Sequence, residues 1–300
     1  MINQLFNLKG RTALVTGSSR GIGRAIAMLL GEAGAQVRFH ASKPSARLDD
    51  TLMEAKGKGI DCESVAADLS TPEGIETIAQ TAKETDILIL NASVQADRTL
   101  TEFDPEEFAR EFNTNVRSSF ALVKAFLPGM AKRGFGRIIT IGSVNQWKQS
   151  PRLCIYASTK SAQVNMIMNC ARSYAKFGIT ANNIAPGVIA TDRNKAALDD
   201  PAMAEMIMKQ IPAARFGTAE DCAGLALPAL FRRGELHHRR RYPRRGGNAT
   251  VTLLRQKGEK YSAIAFPRGV AVAGKLKNAI ADELYGCRWK NAPVHAILPV

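Results

Sequence analysis

Three side chains stand at a spacing suited to proton exchange at an oxygen: Ser143, Tyr156 thirteen positions later, and Lys160 four beyond that. A phenol titrates near ~10, too high to trade protons readily at neutral pH. A nearby ammonium favours the phenolate and brings that value down. A four-residue separation puts Tyr156 and Lys160 on one face of a helix. Taken alone, such a pair is an ordinary helix-surface pair. Ser143, just past the apolar run Arg137–Ile141, makes the set unusual. Asn115 stands upstream in Asn113-Thr114-Asn115-Val116 and, by itself, reads as an ordinary helix asparagine.

A second constellation lies near the start, in Thr16-Gly17-Ser18-Ser19-Arg20-Gly21-Ile22-Gly23. It falls between a β-branched run and a helical pattern, which is the context a phosphate-binding turn requires. Gly17 can take the tight turn. Gly21 lets the backbone approach a pyrophosphate, and Gly23 lets the following helix pack close to the sheet. The helix N-terminus then offers free N–H groups to an anion. A turn that merely needs glycines is the plainer reading of this segment by itself.

The elements that must hold these residues alternate. Strands are expected at Arg11–Thr16, Gln36–His40, Cys62–Ala67, Asp86–Leu90, Arg137–Ile141 and Thr180–Ile184. Helices are expected at Gly21–Gly31, Ala46–Lys58, Pro72–Lys83, Tyr156–Phe177 and through most of Phe103–Met130. Strand–helix alternation predicts an α/β fold, a Rossmann-type doubly wound parallel sheet, with ligands at the carboxyl ends of its strands.

With its preceding threonine, the Gly-x-x-x-Gly-x-Gly loop resembles that of the short-chain dehydrogenase/reductase family, and the Ser143, Tyr156, Lys160 spacing fits the same family. The matches cover about residues 8–227. The general likeness is to 3-oxoacyl-acyl-carrier-protein reductases and to sugar or ketone dehydrogenases. The resemblance implies an oxidoreductase moving a hydride between NAD(P) and a carbonyl or secondary alcohol. It implies Tyr156 as acid and base, Ser143 on the substrate oxygen, Lys160 on the nicotinamide ribose, and Asn115 holding a water. It also implies cofactor contacts from Gly17, Ser19, Arg20, Gly21, Ile22 and Gly23, from Asp68 and Leu69, and from Asn91. In Asn91-Ala92-Ser93 the family usually has glycine third. Pro186, Gly187, Ile189 and Thr191 would meet the nicotinamide carboxamide. A small-molecule substrate and a homodimer or homotetramer are implied as partners.

The end of the second strand chooses between cofactors. NAD-users usually place an acid there for the ribose 2′-hydroxyl. Here Phe39-His40-Ala41-Ser42-Lys43 has none. Arg20 and Lys43 would neutralise a 2′-phosphate, with Ser42 donating a hydrogen bond. NADP is expected, with NAD as the alternative. Asp192–Pro212 would cover the substrate. Its methionines, Met203, Met206 and Met208, suit either an adaptable apolar pocket or a helix packed on the core. Trp147 and Gln149 would line the pocket.

The net charge of +14 is uneven. Residues 228–300 hold 15 Lys/Arg and 4 Asp/Glu, a net of +11, leaving +3 for residues 1–227. The family likeness stops near Leu227. Leu236–Gly246, Leu-His-His-Arg-Arg-Arg-Tyr-Pro-Arg-Arg-Gly, can be encoded by codons that read Ser-Ile-Thr-Gly-Ala-Asp-Ile-Pro-Val-Glu-Gly one base over. That peptide is the family's usual ending. The expectation is a catalytic domain over 1–227 and an atypical basic tail over 228–300, out of frame and poorly ordered. Two other outcomes stay open: a cofactor-binding protein inactivated by its altered end, or a nucleic-acid patch along Arg232–Arg245. The five scattered cysteines read as free thiols in a reducing cytosol, and no metal site is expected. No run of about 18 uncharged apolar residues exists, so no membrane span is read.

Overall fold

The computed structural model describes residues 6–231 and the strand segments 239–241, 252–254, 262–265 and 270–271. The chain divides into two compact units. The larger carries six parallel strands: β1 Thr12–Val15, β2 Gln36–Ala41, β3 Cys62–Ala66, β4 Ile87–Leu90, β5 Gly136–Ile141 and β6 Ile179–Ile184. Their order is β3-β2-β1-β4-β5-β6. The connections run outward in opposite directions from β1 and β4. That reversal opens a crevice at the carboxyl ends of those two strands.

Alternate residues explain why both faces of the sheet are covered. Ala13 and Val15 of β1, Ile87 and Ile89 of β4, and Ile139 and Ile141 of β5 face one apolar cluster. Leu14, Leu88, Leu90 and Ile138 face the other. Helices α1 Gly21–Glu32 and α9 Ala219–Phe231 close the first face with Ile26, Leu30, Ala226 and Leu230. Helices α3 Pro72–Thr81, α5 Ser118–Arg133 and α6 Cys154–Tyr174 close the second with Ile78, Leu122, Phe126 and Ile167. Helix α2, Ala46–Gly57, starts on a Ser45 cap, and α3 starts on a Thr71 cap with proline in its first turn.

Most expected elements agree within two residues at their ends. The Phe103–Met130 stretch differs in kind. It is α4 Pro105–Phe112, a π-helical turn Asn113–Arg117, then α5. Two short helices, α7 Lys195–Asp199 and α8 Pro201–Met208, follow β6. In α8, Met203 and Met206 are exposed and Met208 is half-buried, so the helix turns only part of its methionine set inward. Helix α9 runs through Phe231 with Pro228 inside it, four residues past the expected boundary at Leu227. Ala229 and Leu230 beyond that boundary still pack on the first cluster.

The smaller unit carries a four-stranded antiparallel sheet, β7 Arg239–Arg241, β8 Thr252–Leu254, β9 Ser262–Ala265 and β10 Val270–Ala271, in the order β10-β9-β8-β7. Of the Arg232–Arg245 run, only Arg239–Arg241 is among the described residues, and the order of the tail lies outside them. Cys62, Cys154, Cys170 and Cys222 are free thiols; Cys287 lies outside the described residues. No helix among the described residues is long and apolar enough to cross a membrane.

Candidate active site

The glycine-rich turn is built against the ends of β1 and β4 by side chains, not by glycine alone. The Thr16 hydroxyl donates to Ile89 O (3.1 Å) and accepts from the N–H groups of Asn91 (2.9 Å) and Ala92 (3.0 Å). The Asn91 amide donates to Thr16 O and Gly17 O, both at 2.9 Å. Gly17 and Gly21 hold positive φ, 64° and 56°, where a side chain is strained. A Cβ on Gly23 would sit 2.4 Å from Asn91 Nδ2 and 2.5 Å from Gly17 O. Arg20 is the N-cap of α1 but makes no side-chain cap, and the first turn holds no acid. The caps Ser45, Thr71, Asp104 and Asp200 all accept from their own helix N–H groups. The N-terminus of α1 therefore keeps donors for an external anion.

His40, in β2, supports the glycine turn, a role that sequence reasoning missed. Gly17 N–H donates to its Nδ1 (2.9 Å), and its Nε2 lies 2.9 Å from Ala67 O. A ring that accepts at Nδ1 and donates at Nε2 is neutral. Burial, the largest influence, lowers its pKa. The unfolded chain then binds the proton better, so stability is full above about pH 6.5 and is lost as pH falls below it. We expect the thermal midpoint, measured from pH 8 to pH 5, to fall over the acid half. His40→Asn should lower the midpoint at pH 8 and flatten that acid slope; an unchanged slope would refute the assignment.

The expected proton-exchange residues converge at the carboxyl end of β5. Ser143 follows the strand and caps a short 3₁₀ turn, its hydroxyl accepting from Asn145 N–H (3.1 Å). Tyr156 and Lys160 lie in the first two turns of α6, both buried. The Ser143 and Arg193 side chains both act on the Tyr156 hydroxyl. Asn115 sits in the π-helical turn, a distortion common at functional positions. There it is fully buried, donating to Val94 O (2.9 Å) and Thr159 Oγ1 (3.0 Å) and accepting from Val94 N–H (2.9 Å).

Charges at the site differ from the sequence expectation. Lys160 donates to Ile141 O (2.7 Å) and Gln163 Oε1 (3.2 Å), with its ammonium 5.7 Å from the centre of the Tyr156 ring. Burial first, then the Arg193 charge, brings the lysine down to about 7. Burial raises Tyr156, and the cation that most opposes this is Arg193, not Lys160. Burial and the neighbouring guanidinium both disfavour the charged form of Lys160. Glu111, also missed, is buried in α4 and accepts from Ala96 N–H (2.5 Å); burial raises its pKa.

At the outer end of the crevice Arg20 and Arg47 share one carboxylate, Asp192, at 3.2 and 2.8 Å. Arg47 sits four residues beyond Lys43, and its place became visible only with α2 in position. Ser42 and Lys43 are exposed at the end of β2. Asp68 caps its own turn through Ser70 N–H (2.8 Å), while Leu69 is core. Ile22 packs against the first cluster, and the Ser19 carbonyl accepts from the Thr51 hydroxyl (3.2 Å). Pro186 O accepts from Val144 N–H (3.0 Å), setting Pro186 and Gly187 beside Ser143. Ile189 O accepts from the Asn194 amide (2.8 Å). Thr191 Cγ2 lies 3.4 Å from the position of a Cβ on Gly21. Trp147 is half-buried and Gln149 exposed. No metal-binding cluster occurs among the described residues.

This geometry has close counterparts. The 3-oxoacyl-[acyl-carrier-protein] reductase of Vibrio cholerae is 38% identical over 242 residues, covering 77% of this chain and 96% of that reductase. A crystal structure of a 3-oxoacyl (acyl-carrier-protein) reductase from Agrobacterium tumefaciens C58 with NADP bound aligns with a TM-score of 0.74 at 36% identity, covering 77% of this chain and 91% of its own. A gluconate 5-dehydrogenase from Burkholderia cenocepacia, in complex with NADP and tartrate, aligns at 0.72 and 29% identity, covering 77% and 91%. The model of the short chain dehydrogenase family matches residues 11–202. The six-strand order, the glycine turn between β1 and α1 and the serine, tyrosine and lysine at β5 and α6 all lie within those spans, and the chain belongs to the short-chain dehydrogenase family, oxidoreductases of CH–OH groups.

Proposed function

We propose that this chain is an NADP(H)-dependent reductase that transfers a hydride between the cofactor and a carbonyl or secondary alcohol. The observation carrying this reading is the shared crevice. The uncapped α1 N-terminus opens at the end of β1, and Ser143 and Tyr156 stand at the end of β5. The bound cofactor would supply the hydride. Gly17, Ser19, Gly21, Ile22 and Gly23 would admit and bind its pyrophosphate, and Asp68, Leu69 and Asn91 would flank its adenosine half. Pro186, Gly187, Ile189 and Thr191 would bound the nicotinamide end. Tyr156 would hand its proton to the substrate oxygen while Ser143 donates a hydrogen bond to that oxygen. Lys160 would hold the ribose, and Asn115 would keep the proton path at Thr159 and Val94 in place.

The preference for NADP rests on cations without an acid at β2. Ser42 and Lys43 are exposed at the end of that strand, Arg20 and Arg47 meet at Asp192, and a 2′-phosphate would compete with Asp192 for both arginines. The solved relatives from Agrobacterium and Burkholderia contain NADP. Residues 1–227 form the catalytic domain of this reading, and the sequence from 228 is an out-of-frame translation.

One experiment tests both parts. NADPH and NADH oxidation is measured with a ketone panel for the full chain, Arg20→Ala/Arg47→Ala, and a version with the frame restored from residue 228. NADPH should be preferred at least tenfold, and the double variant should lose that preference. Restoring the frame should raise activity. Equal use of both cofactors would refute the cofactor assignment. A silent full chain beside an active restored chain would identify a cofactor-binding protein disabled by its tail, and equal activities would show that the tail has no bearing.

A further inference from the structure

Resting on the reading of this site as a reductase, we propose that Arg193 selects the substrate: it receives a carboxylate carried by the same small molecule whose carbonyl or hydroxyl reacts at Tyr156.

Arg193 occupies the short turn Asp192–Asn194, which is fixed on both sides. Asp192 bridges Arg20 and Arg47, and the Asn194 amide donates to Ile189 O. From this turn the guanidinium reaches across the crevice and donates from Nη2 to Ser93 O at 2.6 Å. It also acts on the Tyr156 hydroxyl. Ser93 follows β4, and Tyr156 lies in α6.

Charge supplies the second argument. Arg20, Arg47, Arg98 and Arg152 all have carboxylate partners, whereas Arg193 forms no ion pair among the described residues. Glu111, whose charge is also felt at Tyr156, accepts from Ala96 N–H and attracts Arg193 without closing to an ion pair with it. A cation in this position depresses the neighbouring Lys160. An incoming anion would relieve that repulsion. A guanidinium has five N–H donors in a planar fork, so one bond to Ser93 O leaves donors for a bidentate carboxylate. Because Arg193 reaches the Tyr156 hydroxyl, that carboxylate must lie within a few bonds of the reacting carbon. Short oxo or hydroxy acids fit this requirement, and neutral ketones or acyl thioesters do not.

The test compares matched probes with NADPH: acetoacetate against ethyl acetoacetate, and 5-keto-D-gluconate against D-fructose. Wild type, Arg193→Met and Arg193→Lys are assayed. Hydrogen bonds to charged groups contribute enough to set preferences of about 10- to 100-fold. Wild type should favour the carboxylate of at least one pair by about that factor. Arg193→Met should lose that preference, its rate on the acid falling about tenfold or more further than its rate on the neutral partner, while Arg193→Lys keeps part of the preference. Equal losses on both members would make Arg193 a positioning residue for Tyr156 and overturn the proposal, as would a wild-type preference for the neutral probes. Tartrate titrated into the NADP-loaded protein gives a readout without turnover. It should stabilise wild type and not Arg193→Met; equal stabilisation overturns the proposal. A protein that oxidises NADPH with none of these probes would count against the reductase reading, and the tartrate comparison would still decide the role of Arg193.

Discussion

Tyr156→Phe is expected to lower kcat/KM for carbonyl reduction by about 10²- to 10⁴-fold, the range for a lost general acid. NADPH affinity should change little. Phenylalanine fills the same buried volume in α6, and the Lys160 bonds to Ile141 O and Gln163 remain. Steady-state rates beside a fluorescence titration of NADPH separate the two quantities. The pH profile follows from the same residue. Burial raises the phenol above its ordinary value, so the protonated form persists through neutral pH. Reduction, which needs that proton, should hold there and decline only in strong alkali. Oxidation, which needs the phenolate, should climb with pH. A variant retaining more than a tenth of wild-type kcat/KM would remove Tyr156 from the chemistry.

Gly23→Ala should combine loss of fold stability with loss of cofactor binding. The added methyl would lie within 2.5 Å of two heavy atoms, Asn91 Nδ2 and Gly17 O. Neither yields cheaply. Gly17 O belongs to the main chain, and the Asn91 amide is fixed by two 2.9 Å bonds. Overpacking of this kind costs about 1–3 kcal/mol, and the shift it forces falls on the phosphate turn itself. The thermal midpoint should drop by several degrees and NADPH affinity by at least about tenfold. Gly57→Ala is the matching control. Nothing lies within 4 Å of a Cβ there, and alanine in a helix is favoured over glycine by up to about 1 kcal/mol. That variant should be as stable as wild type or more so. Equal behaviour of the two variants would refute the packing argument.

The parallel sheet was legible because its strands obey a simple rule. Ile87–Leu90 is apolar at every position since both faces are covered, and Pro72 marks a helix start. The glycine turn and the Ser143, Tyr156 and Lys160 spacing were legible for a related reason, since each sits within one local segment. What escaped depends on register between distant segments. His40 reaches Gly17 only because β2 pairs with β1 so that Phe39 stands beside Val15. Arg193 meets Ser93 across a hundred residues, through a turn whose path no local pattern dictates. The π-helical turn at Asn115 also went unseen. It shifts the hydrogen-bond partner by one residue within a sequence that reads as ordinary helix.

The Thr16–Asn91 clasp has a consequence for how such a protein can change over evolutionary time. The cofactor half of the crevice is stitched by the Thr16 and Asn91 side chains to main chain at the ends of two central strands, so alterations there disturb the turn and the sheet together. In the proposed reading the substrate would meet a turn and helix α8, where Met203 and Met206 are exposed. Substitutions at such surface positions usually stay within about 0.5 kcal/mol. New substrate preferences can therefore accumulate over Asp192–Met208 while the fold tolerates each step. On the proposed reading, a change of substrate preference in the segment that Arg193 occupies leaves the Thr16–Asn91 clasp untouched.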